Sequence, residues 1–263
     1  MNKNIDSSQG FLKYYWLELK KLLSPATPLL VCAIYSFVLI FPRYHYAMFR
    51  TSFLEPQYRF PEKMAIDGLW FMLIPILAVL ILRLLSSVFP KTKEPFPQYR
   101  FRDYGFKIGR WKGWRDTLIF FAFMLALVIA VTVLPLPFLK GVQKNFISTY
   151  PLFSSAGKSL NLFLLWEAAL LIHMFGWEFI NRGFLLFGLE GKMGNWAILA
   201  TAIPFALLHV GKPEFEAYGS FIAAIALGWL ALRTRSFLPG VLLHWGVALS
   251  MDIMGIISKG GFG

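Results

Sequence analysis

The chain has 263 residues, of which 57% are hydrophobic and 15% charged, and its mean hydropathy is +0.58. Soluble domains carry about 25% charged residues, so a water-soluble globular enzyme is excluded. The net charge of +12 raises the question of a nucleic-acid partner. None is expected, because the basic residues track the predicted loops and leave no separate basic domain.

In chain order, the N-terminal segment is polar and basic, with Lys3, Lys13, Lys20 and Lys21. No small-residue cleavage site follows a short apolar core, so it does not read as a cleaved signal peptide. Phe11–Lys20 reads as an interfacial amphipathic helix, with Tyr14, Tyr15 and Trp16 at headgroup level. Apolar segments then predict membrane spans near Pro28–Phe41, Leu69–Leu85, Leu118–Leu134, Leu160–Phe175, Trp196–Leu208, Phe221–Leu232 and Leu238–Met254. The fourth continues to about Leu189, and the short fifth reads as tilted or partly re-entrant. The prediction is an all-α polytopic membrane protein with about seven crossings, or about eight if the fourth segment breaks in two.

The basic loop Lys91–Arg115 divides the chain into two parts. Residues 1–115 hold the interfacial helix, two spans and this loop; residues 116–263 hold the remaining spans and every unusual polar residue. Lys91, Lys93, Arg100, Arg102, Lys107, Arg110, Lys112 and Arg115 in the loop, together with Arg233 and Arg235, fall on the N-terminal side of the bilayer. That side is expected to be cytoplasmic, with the protein integral to the plasma (inner) membrane. The opposite loop, Arg43–Lys63, is also basic but carries Glu55 and Glu62. The single Cys32 excludes an intrachain disulfide framework and a cysteine metal cluster, and the terminal Gly-Gly-Phe-Gly is not a lipidation signal.

Ionisable groups inside a bilayer are costly and need a partner or a purpose. Glu178 and Arg182 are four residues apart in GWEFINRGFLL, so on a helix they share a face. They read either as a buried ion pair that staples helices or as part of a site. The next helix, IPFALLHV, holds Pro204, with Phe205 one turn before His209. The loop that follows carries Lys212, Glu214 and Glu216, which read as solvated, although Glu216 could fold back towards His209. His244 lies inside the last span, and Asp252 falls nearer the opposite interface than His244. Ser220, Ala224 and Gly228 form a small-residue stripe suited to bringing the His209 and His244 helices together. Glu167 and His173 read as lining a polar cavity or the interface, and Asn181 as a supporting neighbour. One Glu, one Arg and two His thus come from three helices, without a cysteine nucleophile, a nucleophile elbow or HExxH. The remaining chemistry is water activated by a carboxylate and a histidine, with a polar group on the oxyanion.

This pattern resembles the CPBP family, the CAAX-protease and bacteriocin-processing family of intramembrane endopeptidases, also called Abi proteins. That family carries EExxxR, then FxxxH, then Hxxx(Asn/Asp) on successive motif helices. Here the positions read WEFINR (177–182), FALLH (205–209) and HWGVA (244–248), within about Leu160–Met254. The resemblance implies a glutamic-type intramembrane endopeptidase with catalytic Glu178, Arg182, His209 and His244. Glu178 and His209 would activate water, His244 would donate to the oxyanion, and no metal or cofactor would be required. The implied partners are the lipid bilayer and a membrane-associated or lipidated peptide or protein substrate. Trp177 replaces the family's first Glu, and Ala248 replaces its Asn or Asp. Those departures keep an alternative open, a catalytically decayed scaffold acting as a binding or immunity factor in bacteriocin self-protection. A transporter would show inverted repeats, and none is visible.

Overall fold

A computed structural model describes residues 28–49, 53–88, 101–109, 111–134 and 137–263. The predicted interfacial helix and the basic residues Lys91, Lys93, Arg100 and Arg110 lie outside the described residues. Helix α1 spans Pro28–Phe49, α2 Arg59–Val88, α3 Trp111–Val133, α4 Lys140–Thr149 and α5 Leu160–Glu178. A π-helical segment, Phe179–Leu186, joins α5 without a break to α6, Phe187–Met193. Helices α7 (Trp196–Leu207), α8 (Glu214–Thr234) and α9 (Leu238–Ser258) complete the chain. Among the described residues there is no strand.

The protein is an all-α polytopic membrane protein. Five helical stretches are long and apolar enough to cross a bilayer: Pro56–Ile81, Gly113–Ala130, Leu160–Met193, Glu216–Thr234 and Leu238–Ser258. Two shorter apolar helices, Val31–Phe41 and Trp196–Leu207, account for the other predicted spans. At a rise of about 1.5 Å per residue, α7 reaches only about 18 Å, less than the roughly 30 Å hydrocarbon layer. The predicted fourth segment does not break in two. Its 34 residues run as one helical rod, because the wider π turns absorb the polar motif while the backbone stays hydrogen-bonded.

Packing brings the polar helices together through small residues. Helices α2 and α5 touch backbone to backbone at Gly68 and Gly176: a Cβ on Gly176 would sit 1.9 Å from the Gly68 carbonyl oxygen. This crossing lies two residues before Glu178. The stripe on α8 packs against α7, with Ala224 buried beside Ala202 and Phe205 and Gly228 facing Ile198. Helix α9 packs on α3, α5 and α8. The π segment is buried at all its positions; Ile180, Phe184, Leu185 and Leu186 join Val31, Tyr35, Val38 and Phe71 in one apolar cluster. Arginines tie the helix ends where α8 meets α9: Arg233 pairs with Asp116 at 2.5 Å and Arg235 with Glu190 at 2.5 Å. Leu118, Phe123, Leu164 and Ile222 point outward and exposed, as a lipid-facing surface requires.

Candidate active site

Glu178 is the last residue of α5 and has no solvent exposure. Its Oε1 accepts hydrogen bonds from Arg182 Nη1 at 3.0 Å and from His244 Nδ1 at 2.8 Å. A carboxylate only accepts, so Nδ1 of His244 carries the proton, and in the neutral ring Nε2 keeps the lone pair. Glu178 Oε2 and Arg182 Nη2 are buried and have no hydrogen-bond partner among the described residues. Helix α9 approaches the carboxylate closely: a Cβ on Gly240 would lie 3.1 Å from Oε2. The fourth side chain arrives through an aromatic bridge. Arg182 stacks on the Phe205 ring at 4.0 Å, and that ring lies 4.7 Å from the His209 ring and 5.9 Å from the His244 ring. His209 donates from Nδ1 to the Phe205 carbonyl at 2.8 Å, which also leaves its Nε2 free in the neutral form.

Arg182, His209 and His244 therefore gather around Phe205, and Glu178 joins them through its bonds to Arg182 and His244. Exposure within the group is unequal: the His244 side chain is 20% exposed and that of Glu178 0%. The imidazole is thus the more accessible of the two groups. Asn181 accepts from the Tyr35 hydroxyl and donates to the Trp177 carbonyl, both at 2.8 Å, so it braces the π segment. Trp177 packs its ring near Phe71, His173 and Phe205. Ala248 lies in an apolar cluster with Phe153 and Trp166.

Other expected polar residues take structural partners. The Glu216 carboxylate accepts from Tyr150 Oη and pairs with Lys212 Nζ at 2.5 Å, close enough to His209 to act on it electrostatically. Burial and that carboxylate push the Tyr150 phenol well above its ordinary pKa, so it remains a donor. Asp252 accepts from Trp166 Nε1 at 2.6 Å and the Leu152 amide at 3.1 Å, away from His244 as expected. Glu167 accepts from Trp245 Nε1 at 3.1 Å, and His173 donates to the Met64 carbonyl at 3.2 Å. A cavity of about 400 Å³ opens beside the loop after His209, lined among others by Asn145, Thr149, Lys212 and Glu216. Sequence reasoning missed Gly240 and Tyr35. A glycine four residues before an intramembrane histidine, and a lone tyrosine in an apolar span, were the available signals.

Residues 159–250 match the family model described as type II CAAX prenyl endopeptidase Rce1-like. The match covers this segment and not the rest of the chain. The CAAX-protease resemblance seen in the three motifs is thereby borne out, and the general function it supports is that of a CAAX-type intramembrane protease. The Rce1-like segment begins at Ser159, whose hydroxyl caps α5 by accepting from the Leu162 amide, and ends within α9. It encloses Glu178, Arg182, His209 and His244 but not α1, whose Tyr35 braces Asn181. No curated protein and no solved structure matches the chain.

Proposed function

We propose that this protein is an intramembrane endopeptidase that hydrolyses a peptide bond in a membrane-associated or lipidated peptide or protein, using water activated by the Glu178–His244 pair. The observation that carries this reading is the bond from His244 Nδ1 to a fully buried Glu178, with the imidazole the more exposed of the two. It supports a division of labour different from the one the motifs imply. His244 Nε2 takes a proton from water, and the hydroxide attacks the scissile carbonyl carbon. Glu178, held by Arg182, stabilises the imidazolium that forms. The imidazolium then returns its proton to the departing amine as the C–N bond breaks. The products are a carboxylate and an amine. His209, whose Nδ1 donates to the Phe205 carbonyl, accepts from the same water at Nε2 and orients it.

The membrane is the plasma (inner) membrane, with the N-terminus cytoplasmic, as the basic clusters favour. A second reading draws on Trp177 and Ala248, which put apolar groups where the family pattern has polar ones. It describes a binding or immunity scaffold without turnover.

Cleavage of lipidated and unlipidated membrane peptides by purified protein in liposomes separates the two. Wild type cleaves under the hydrolase reading, and a chelator leaves the rate unchanged, because a guanidinium already compensates the carboxylate. Glu178→Gln and His244→Ala each lower kcat by about 10³–10⁴, and His209→Ala by about 10²–10³. Equal rates for wild type and Glu178→Gln would sink the assignment. A folded wild type that binds these peptides without cutting them favours the scaffold.

A further inference from the structure

Glu178 is not the only carboxylate on α5 that grips α9. Glu167 lies eleven residues earlier, about three helical turns, and so on the same face. Glu178 holds His244, and Glu167 holds the next residue, Trp245. A reciprocal bond runs the other way, from the indole of Trp166 on α5 to Asp252 on α9. Asp252 also takes the Leu152 amide from the segment before α5. Glu167, Trp166 and Asp252 are all buried. Two indole–carboxylate bonds, one in each direction, thus cross the same helix pair as the Glu178–His244 contact.

We infer that Glu167 is a positioning residue: its bond to Trp245 forms a second clamp that sets α9 in the register at which His244 meets Glu178. Apolar packing alone fixes register weakly in a bilayer, where lipid tails match side chains in polarity. Directional bonds set it instead. Sliding α9 by one residue moves it about 1.5 Å and turns it by about 100°, which removes Nδ1 from Oε1. Displacements of that size cost about 10²-fold in rate when they reach reacting groups. The activity arm of this inference rests on the hydrolase reading, whereas its structural arm does not.

The test compares wild type, Glu167→Gln, Glu167→Leu and Trp245→Phe in lipid nanodiscs. It reads kcat, KM and the nitrogen NMR signals of labelled histidine, of which the chain has only four. Glu167→Leu and Trp245→Phe are expected to lower kcat about 10- to 100-fold with KM nearly unchanged, and to remove the Nδ1–H signature of His244. Glu167→Gln retains both, because its amide oxygen still accepts the indole N–H. Folded Glu167→Leu and Trp245→Phe proteins with an unaltered His244 signature overturn the clamp, whatever happens to Tm or rate. If Glu167→Leu does not fold, Trp245→Phe against Glu167→Gln decides by the same signature. A wild type that cleaves nothing, in variants whose His244 signal still follows the clamp, keeps the clamp and removes the hydrolase.

Discussion

Arg182 and Gly240 constrain the same carboxylate by opposite means. Arg182 neutralises Glu178 from within its own helix; replacing it by Met leaves the carboxylate buried with His244 as its one remaining hydrogen-bond partner. Removing one member of a buried pair typically costs about 3–5 kcal/mol. Arg182→Met is therefore expected to lower Tm sharply in thermal unfolding, and a Tm equal to wild type would contradict the burial of the pair. Gly240 acts by absence of bulk. A Cβ there would press on Oε2 at 3.1 Å, so Gly240→Ala is expected to reduce kcat about tenfold or more, with little change in Tm and KM. Unchanged kcat would mean that the carboxylate position does not matter to turnover. Glu178, Arg182, His209 and His244 were legible in the sequence because ionisable residues inside apolar spans are few and costly. The Glu178–His244 bond was not legible, because it depends on a helix crossing between residues 66 positions apart.

Among the elements, the crossing of α2 and α5 and the π segment matter most to the site. Gly176 has backbone rather than a side chain opposite it, so the obstruction to a larger residue cannot rotate away. Gly176→Val is expected to push α2 from α5 and lower both Tm and activity; a variant matching wild type in both would show that the two helices do not touch at this point. The stripe of small residues on α8 had pointed to close packing of this kind, and the packing of α8 on α7 agrees. The π segment left no signal in the pattern, since apolar periodicity distinguishes poorly between helix types when nearly every residue is buried. Pairing Glu178 with Arg182 by α-helical spacing nonetheless succeeded, because Glu178 ends the α-helical part and the longer Arg182 side chain reaches back.

At the scale of the whole molecule, the apolar segments were the most readable feature, because a bilayer demands length and low polarity together. The run of the fourth segment through its polar motif and the shortness of the fifth were both legible, and the helices Leu160–Met193 and Trp196–Leu207 agree. What covers their polar groups was not legible, because it depends on neighbouring helices that no single window of sequence contains. Tyr35 shows the same limit: a residue on α1, outside the Rce1-like segment, braces Asn181 at the centre of the fold.

The unbroken rod from Leu160 to Met193 carries 34 residues, about 51 Å at α-helical rise, in a hydrocarbon layer of about 30 Å. Such a rod must lean or protrude, and its lean answers to the thickness of the surrounding lipid. Glu178 rides on it, while His244 rides on α9, which at 21 residues is close to the thickness of the layer. Thinner and thicker bilayers will therefore load the joint between them unequally. Cleavage measured across phosphatidylcholines of increasing acyl length is expected to pass through a maximum; a flat profile would mean that the joint is stiffer than the membrane around it. On that view the lipid is a mechanical setting of the site as well as the solvent of the protein.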